Sequence, residues 1–212
     1  MAVSTDERLA LSDLFTELGP DAPTLCAGWR TRDLAAHLVL RERRPDAAPG
    51  ILLAPLAGHT KRVQDGFARR PWAELVDLVR TGPPAFSPTR IPLVDRLVNS
   101  VELFTHHEDV RRAQPGWQPR PADPERDATT WAGVSRAGKL TLRRSSVGIV
   151  LRRTGGEKGG EEVVVRRGPN TVVVAGPPGE LLLWAFGREE VRLDFEGEQS
   201  AVGVVRGLRR SL

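Results

Sequence analysis

Residues 28–40 have the sequence GWRTRDLAAHLVL, and this stretch indicates the class of fold in the first half of the chain. From Thr31 to about Arg44 we predict a helix, because leucine and alanine recur until Pro45 stops the pattern. Nearly every neighbour of His37 is apolar, so a helix here turns His37 toward a protein core. The segment therefore predicts a core helix that carries one inward-facing histidine.

The chain on either side divides into two parts of different character. Helical spacing of apolar residues and proline or glycine stops predict six helices before residue 145, near residues 4–18, 31–44, 55–69, 71–80, 92–112 and 125–144. Valine-rich runs and glycine-rich loops then predict strands near 147–153, 162–167, 170–175 and 191–195, with helices near 180–186 and 200–210. We therefore expect an α+β fold with a helical domain over residues 1–145. A small α+β domain with a mostly antiparallel sheet follows over residues 146–212.

Composition excludes several classes of protein. The pI is about 10.1, but the net charge is only +4, and arginine alternates with aspartate and glutamate as on solvated helix faces. We therefore expect no nucleic-acid partner. No apolar run approaches the roughly 20 residues that span a bilayer, and the acidic start lacks the order of a signal peptide. We expect no membrane partner and a cytoplasmic protein, in which the single Cys26 is a small buried hydrophobe rather than a reactive thiol.

Two histidines and a glutamate form a candidate metal site. Glu102 and His106 lie four residues apart on one predicted helix, so both side chains project from the same face. Asp109 falls on that face too, whereas His107 points about 100° away. His37 supplies a third ligand if its helix meets this one in the core. Spacing alone also fits a core histidine and a chance carboxylate–imidazole pair, so both interpretations stand at this point.

Three motifs resemble the DinB-like, mycothiol-dependent maleylpyruvate isomerase family. Residues 28–38 are similar to its GW-x-x-RDL-x-x-HL segment, and residues 102–109 resemble its E-x-x-x-H-x-x-D metal motif. Residues 176–188 look like G-x-x-x-ELLLW-x-x-GR, which marks a C-terminal domain of many members. The motifs span nearly the whole chain in the family's order. Residues 25–29 and 106–112 most resemble an actinobacterial metal-binding branch of the superfamily.

The resemblance implies a DinB-like four-helix bundle and a divalent metal, usually zinc, held by His37, Glu102 and His106. Asp109 then either orients a ligand histidine, which we favour, or simply balances local charge. Three protein ligands with an open position are typical of catalytic zinc. In isomerase relatives the cosubstrate is mycothiol, whose thiolate adds to an unsaturated substrate so that a double bond can rotate. The implied partners are a small-molecule thiol and an electrophilic substrate.

Several alternatives stay open at this stage. Arg41 and Arg44 follow His37 by four and seven residues, where they either face a substrate carboxylate or are surface charges near a helix end. His107 is an alternative to His106 as the ligand. We expect a metal- and thiol-dependent isomerase or transferase. The alternatives are a non-catalytic metal-binding sensor or regulatory partner, and a carrier of an apolar small molecule.

Overall fold

The computed structural model describes residues 2–84, 99–156 and 158–210. Contacts between residues divide the chain into two compact units, Met1–Gln118 and Pro119–Leu212. The first unit is helical and the second combines helices with a sheet, so the overall class is α+β.

The first unit contains five α-helices within its described residues. They are α1 (Val3–Leu18), α2 (Thr31–Arg43), α3 (Ala57–Ala68), α4 (Trp72–Thr81) and α5 (Ser100–Arg112), with short 3₁₀ turns at Ala48–Ile51 and Ala54–Leu56. Local sequence predicts all five, because apolar periodicity and the proline and glycine stops are local signals. The predicted start of α5 near residue 92 lies outside the described residues. The four-helix arrangement of this unit stays a prediction.

The core of this unit places α2 among its neighbours. Helix α1 packs against α4 and α5, and α2 packs against α3 and α4. Leu34 and Leu38 of α2 are buried, as the helical pattern predicts. Arg8 of α1 and Glu42 of α2 form a buried ion pair, with 2.9 Å between Nη1 and Oε2. Helix α2 is therefore held by both apolar packing and a buried charge pair.

The second unit contains one helix before the strands and two helices among or after them, within its described residues. Its elements are α6 (Pro124–Thr141), β1 (Ile149–Arg153), β2 (Glu162–Arg166), β3 (Val172–Gly176), α7 (Pro178–Ala185), β4 (Asp194–Glu196) and α8 (Gln199–Arg206). Helix α6 packs against α7 and β2. At Gly138 a Cβ atom would lie 2.7 Å from Val165 Cγ1, so the glycine permits this close packing. Within the described ranges, neither unit has a helix both long and apolar enough to cross a membrane.

The sheet has the order β2-β1-β3-β4 and is mixed. Strand β1 is antiparallel to β2 and parallel to β3, and β3 is antiparallel to β4. The prediction of a mostly antiparallel sheet is wrong. The loop from β2 to β3 passes the start of β1, so β3 pairs with the other edge of β1 and runs parallel to it. A Cβ at Gly168 would lie 2.8 Å from the backbone nitrogen of Gly148, so two glycines permit the crossing.

Candidate metal centre

Helices α2 and α5 bring His37, Glu102 and His106 together. The rings of His37 and His106 meet edge to face, with 5.4 Å between their centroids. Nε2 of His106 lies 3.3 Å from Oε2 of Glu102. Each of the three residues offers one possible ligand atom, and these atoms all lie within 4.8 Å of one another. The arrangement can hold one metal ion with two imidazoles and a carboxylate.

One side of this group is open to a cavity. His37 and His106 are only 7% and 8% exposed, whereas the Glu102 side chain is 36% exposed. The indole of Trp29 lies beside His37, with ring centroids 5.1 Å apart. Both residues line a cavity of about 520 Å³, whose wall includes Gln64 of α3. Among the described residues, neither ring nitrogen of His37 has a hydrogen-bond partner, so the ring is available as a ligand.

Asp109 fixes the orientation of His106. Its Oδ2 atom lies 3.0 Å from Nδ1 of His106, and its side chain is completely buried. The same carboxylate accepts a hydrogen bond from the Cys26 thiol at 3.2 Å. Because Nδ1 is engaged, Nε2 is the nitrogen of His106 that faces Glu102. A carboxylate behind a histidine is the usual support of a metal-binding imidazole.

The three side chains differ in their affinity for protons. The pKa of His37 is lowered to about 3, mainly by burial and also by the nearby charges of His106 and Arg41, against which Glu102 acts in the opposite direction. Burial alone would raise the pKa of Glu102, but His106 and Arg41 bring it down to about 2. Burial also acts to lower the pKa of His106, yet hydrogen bonds with Asp109, Cys26 and Glu102 raise it well above its ordinary value. At neutral pH His37 is therefore neutral and Glu102 ionised, and the surroundings of His106 favour its charged form.

A second group of possible ligands shares His106. Cys26, His106 and Asp109 also offer ligand atoms within 4.8 Å of one another. Cys26 is only half-buried, and its sulfur lies 3.9 Å from Nδ1 of His106. The prediction of a small buried hydrophobe did not include this polar neighbour. An ion held through Nδ1 would replace the hydrogen bond to Asp109. An ion held through Nε2, as in the group with His37 and Glu102, would leave that bond intact.

The two arginines that follow His37 have different surroundings. Nε of Arg41 lies 3.8 Å from Oε1 of Glu102, and its Nη1 donates to Oδ1 of Asn99 at 3.1 Å. Arg44 instead makes a two-bond contact with Asp46 at the surface, at 2.8 and 2.7 Å. The structure therefore brings Arg41 to the candidate centre but places Arg44 in a separate ion pair.

The remaining histidines lie outside the group. Nδ1 of His107 is 2.7 Å from Oε2 of Glu7, in a buried contact between α5 and α1. His59 is half-buried and lies 3.0 Å from Oδ2 of Asp46. His107 is thus turned toward α1, as its angular offset from His106 on the helix requires.

Comparison with known proteins extends the motif resemblance to the fold. The chain matches a crystal structure of a histidine-to-alanine mutant of the mycothiol-dependent maleylpyruvate isomerase, with a TM-score of 0.57 and 16% identity. A second structure of that isomerase matches with a TM-score of 0.51 and 14% identity. Both alignments cover 92% of this chain and 91% of the other. No family model matches the sequence, and no curated protein does. At this identity the likeness shows a shared fold.

Proposed function

We propose that this chain is a metal-dependent enzyme that uses a low-molecular-weight thiol, of which mycothiol is the first candidate. The reaction is an isomerisation, or the transfer of the thiol to an electrophile. The observation that carries the proposal is the convergence of His37, Glu102 and His106 in a fold shared with a mycothiol-dependent isomerase. Fold alone leaves the chemistry open, so the local group is the stronger support.

The residues present suit a divalent metal. Two imidazoles and one carboxylate are ligands that zinc accepts, and three protein ligands leave a position for substrate or water. His37 has no competing hydrogen bond within the described residues, and His106 is already oriented by Asp109. We therefore assign His37, Glu102 and His106 as the ligands of one ion, with zinc as the first candidate.

The side chains around the group have separate roles in this proposal. When bound, the metal supplies a Lewis acid that favours a thiol as thiolate or lowers the pKa of water. Trp29 covers one side of His37 and limits the access of water from that side. Arg41 places a positive charge beside Glu102, where it can also pair with a substrate carboxylate. The cavity at His37 admits the cosubstrate and the electrophile.

The first test is the metal content of protein purified without added metal. We expect about one divalent ion per chain in the native protein, and a large loss in His37→Ala and in Glu102→Ala. His59→Ala is the matched control, because it removes an imidazole that contacts Asp46 rather than the candidate centre. Unchanged metal content in both site variants would contradict the ligand assignment.

The second test is turnover. Maleylpyruvate isomerisation and thiol conjugation of small electrophiles are measured with and without mycothiol, on native protein and His37→Ala. Thiol-dependent turnover that disappears in the variant supports the enzyme. Bound metal without turnover of any of these substrates favours the alternative, a non-catalytic metal-binding protein.

A further inference from the structure

Helix α3 separates two cavities of the first unit. One face of α3 borders the cavity at His37, through residues that include Thr60 and Gln64. Another face borders a second cavity of about 510 Å³. Three arginines, a histidine and two apolar side chains are prominent in the wall of this second cavity: Arg44, Arg62, Arg70, His59, Val63 and Phe67. No residue is common to the described walls of the two cavities.

The positive charges of this second cavity are only partly compensated. Asp46 pairs with Arg44 at 2.7 Å and with His59 at 3.0 Å. Arg62 donates from Nε to the backbone oxygen of Gly58 at 3.3 Å, and the guanidinium of Arg70 lies 5.5 Å from the ring centroid of Phe67. In the described part of the chain, neither Arg62 nor Arg70 has an acidic partner. Counting only the described residues, Arg62 and Arg70 thus border the cavity without a carboxylate that pairs with them.

We propose that this cavity binds a small organic anion with a phosphate or carboxylate head and an apolar body. The guanidinium groups of Arg62 and Arg70 offer forked donors that match the oxygens of such a head. Val63 and Phe67 supply an apolar wall for the body. The cavity, of about 510 Å³, is large enough for a small aromatic anion and opens to solvent at the exposed Arg62 and Arg70. Because its wall is separate from the candidate metal centre, the ligand binds without occupying the proposed metal position.

Calorimetric titration with phenyl phosphate, benzoate and inorganic phosphate tests the site. We expect at least one of the two aromatic anions to bind more tightly than inorganic phosphate, because only they can contact Phe67 and Val63. Arg62→Gln and Arg70→Gln should each weaken that binding by about tenfold or more. Arg69→Gln is the matched control, since this exposed neighbour lies outside the described wall and should bind like the native protein. The preferred head group is identified by comparing phenyl phosphate with benzoate.

A steric variant tests the same site without changing its charge. Gly66 belongs to the wall of the cavity, and a Cβ added there meets nothing within 4 Å. Gly66→Leu should therefore keep α3 intact and block the aromatic anion. Gly58→Leu is the control, because Gly58 is equally open but lies outside the described wall. Native-like binding by Gly66→Leu would overturn the proposal.

Binding to the candidate metal centre must be told apart from binding here. In His37→Ala, which disrupts the proposed metal centre, the affinity for the aromatic anion should stay within about twofold of native. Loss of binding in His37→Ala, together with native-like binding in Arg62→Gln and Arg70→Gln, would move the ligand to the metal centre and overturn this inference. Equal affinity for inorganic phosphate and both aromatic anions would overturn the organic ligand. The proposed function is unaffected by either result.

Discussion

The carboxylate of Asp109 lies 3.0 Å from Nδ1 of His106 and is completely buried behind it. This contact determines which nitrogen of His106 faces Glu102, and it holds the ring in one orientation. Residues that orient a metal-binding histidine usually contribute to metal affinity although they do not touch the ion. Under the proposed function, the contact therefore gives Asp109 a measurable part in metal binding.

We predict that Asp109→Asn lowers the affinity for zinc by about 10- to 100-fold, because the amide supports the histidine less strongly. The measurement is a competition titration with a chelator of known affinity. Asp13→Asn is the control, since it makes the same change of charge at an exposed residue that pairs with Arg80 instead. An equal loss in both variants would mean that net charge, rather than the orientation of His106, accounts for the effect.

Cys26 distinguishes the two possible ligand groups. We predict that Cys26→Ser keeps the metal content of the native protein, because a hydroxyl can still donate to Asp109 and because His37 and Glu102 remain. The group with Cys26 requires the thiolate, which serine does not replace. Metal content by elemental analysis gives the answer. Loss of metal in Cys26→Ser, with retention in Glu102→Ala, would assign the ion to the second group.

Replacing the adjacent histidines of α5 should affect two different properties, metal content for His106 and stability for His107. His106→Ala should lose the metal, whereas His107→Ala should keep it but lower the free energy of unfolding by about 1–3 kcal/mol. The loss of stability follows because His107→Ala removes a 2.7 Å contact from the buried Glu7 carboxylate. Metal analysis and urea unfolding measure the two effects separately. Loss of metal in His107→Ala alone would exchange the assignment of the two residues.

The buried pair of Arg8 and Glu42 should be important for the stability of the first unit. We predict that Glu42→Ala lowers the free energy of unfolding by about 3–5 kcal/mol, because the Arg8 guanidinium stays buried while this partner is lost. Asp13→Ala breaks the exposed pair with Arg80 and should cost below about 1 kcal/mol. Urea unfolding of both variants makes the comparison. A similar small loss in both would show that Arg8 relaxes to reach water.

Two glycines of the second unit should respond differently to alanine. A Cβ at Gly148 would lie 2.3 Å from Thr171 Oγ1, so Gly148→Ala should destabilise this unit through the crossing at the start of β1. Gly203 lies in α8 with open space around it, and Gly203→Ala should be neutral or raise stability by up to about 1 kcal/mol. Thermal unfolding measures both. Equal stability of the two variants would contradict the close crossing.

Prediction from sequence succeeded for features that depend on neighbours along the chain. The bounds of α2 and the strand-like runs after residue 145 follow from periodicity and from proline and glycine stops, which act over a few residues. The common face of Glu102, His106 and Asp109 follows from the 3.6-residue repeat of a helix. These features were predictable because the backbone geometry of one element determines them.

Other features depended on contacts between distant residues. The mixed sheet was not predicted, because the pairing of β3 depends on the path of the loop that leads from β2 past Gly148. No local sequence pattern indicates which edge of β1 the next strand will join. Arg41 and Arg44 could not be distinguished by sequence. In the structure Arg41 lies near Glu102, whereas Arg44 pairs with Asp46. The Cys26 contact with Asp109 was likewise not visible, because a loop and a helix supply its two atoms.

The sequence by itself determined which segments are helices and strands, and which side chains share a helix face. Only the tertiary structure decided that His37 of α2 meets Glu102 and His106 of α5, because packing between elements brings together residues that are far apart in the chain. Packing also decided that α6 belongs with the second unit, and that Arg62 and Arg70 border a cavity away from the candidate centre. The physical reason is that side-chain direction within an element is set locally, whereas the partner it meets depends on how whole elements bury their apolar faces together.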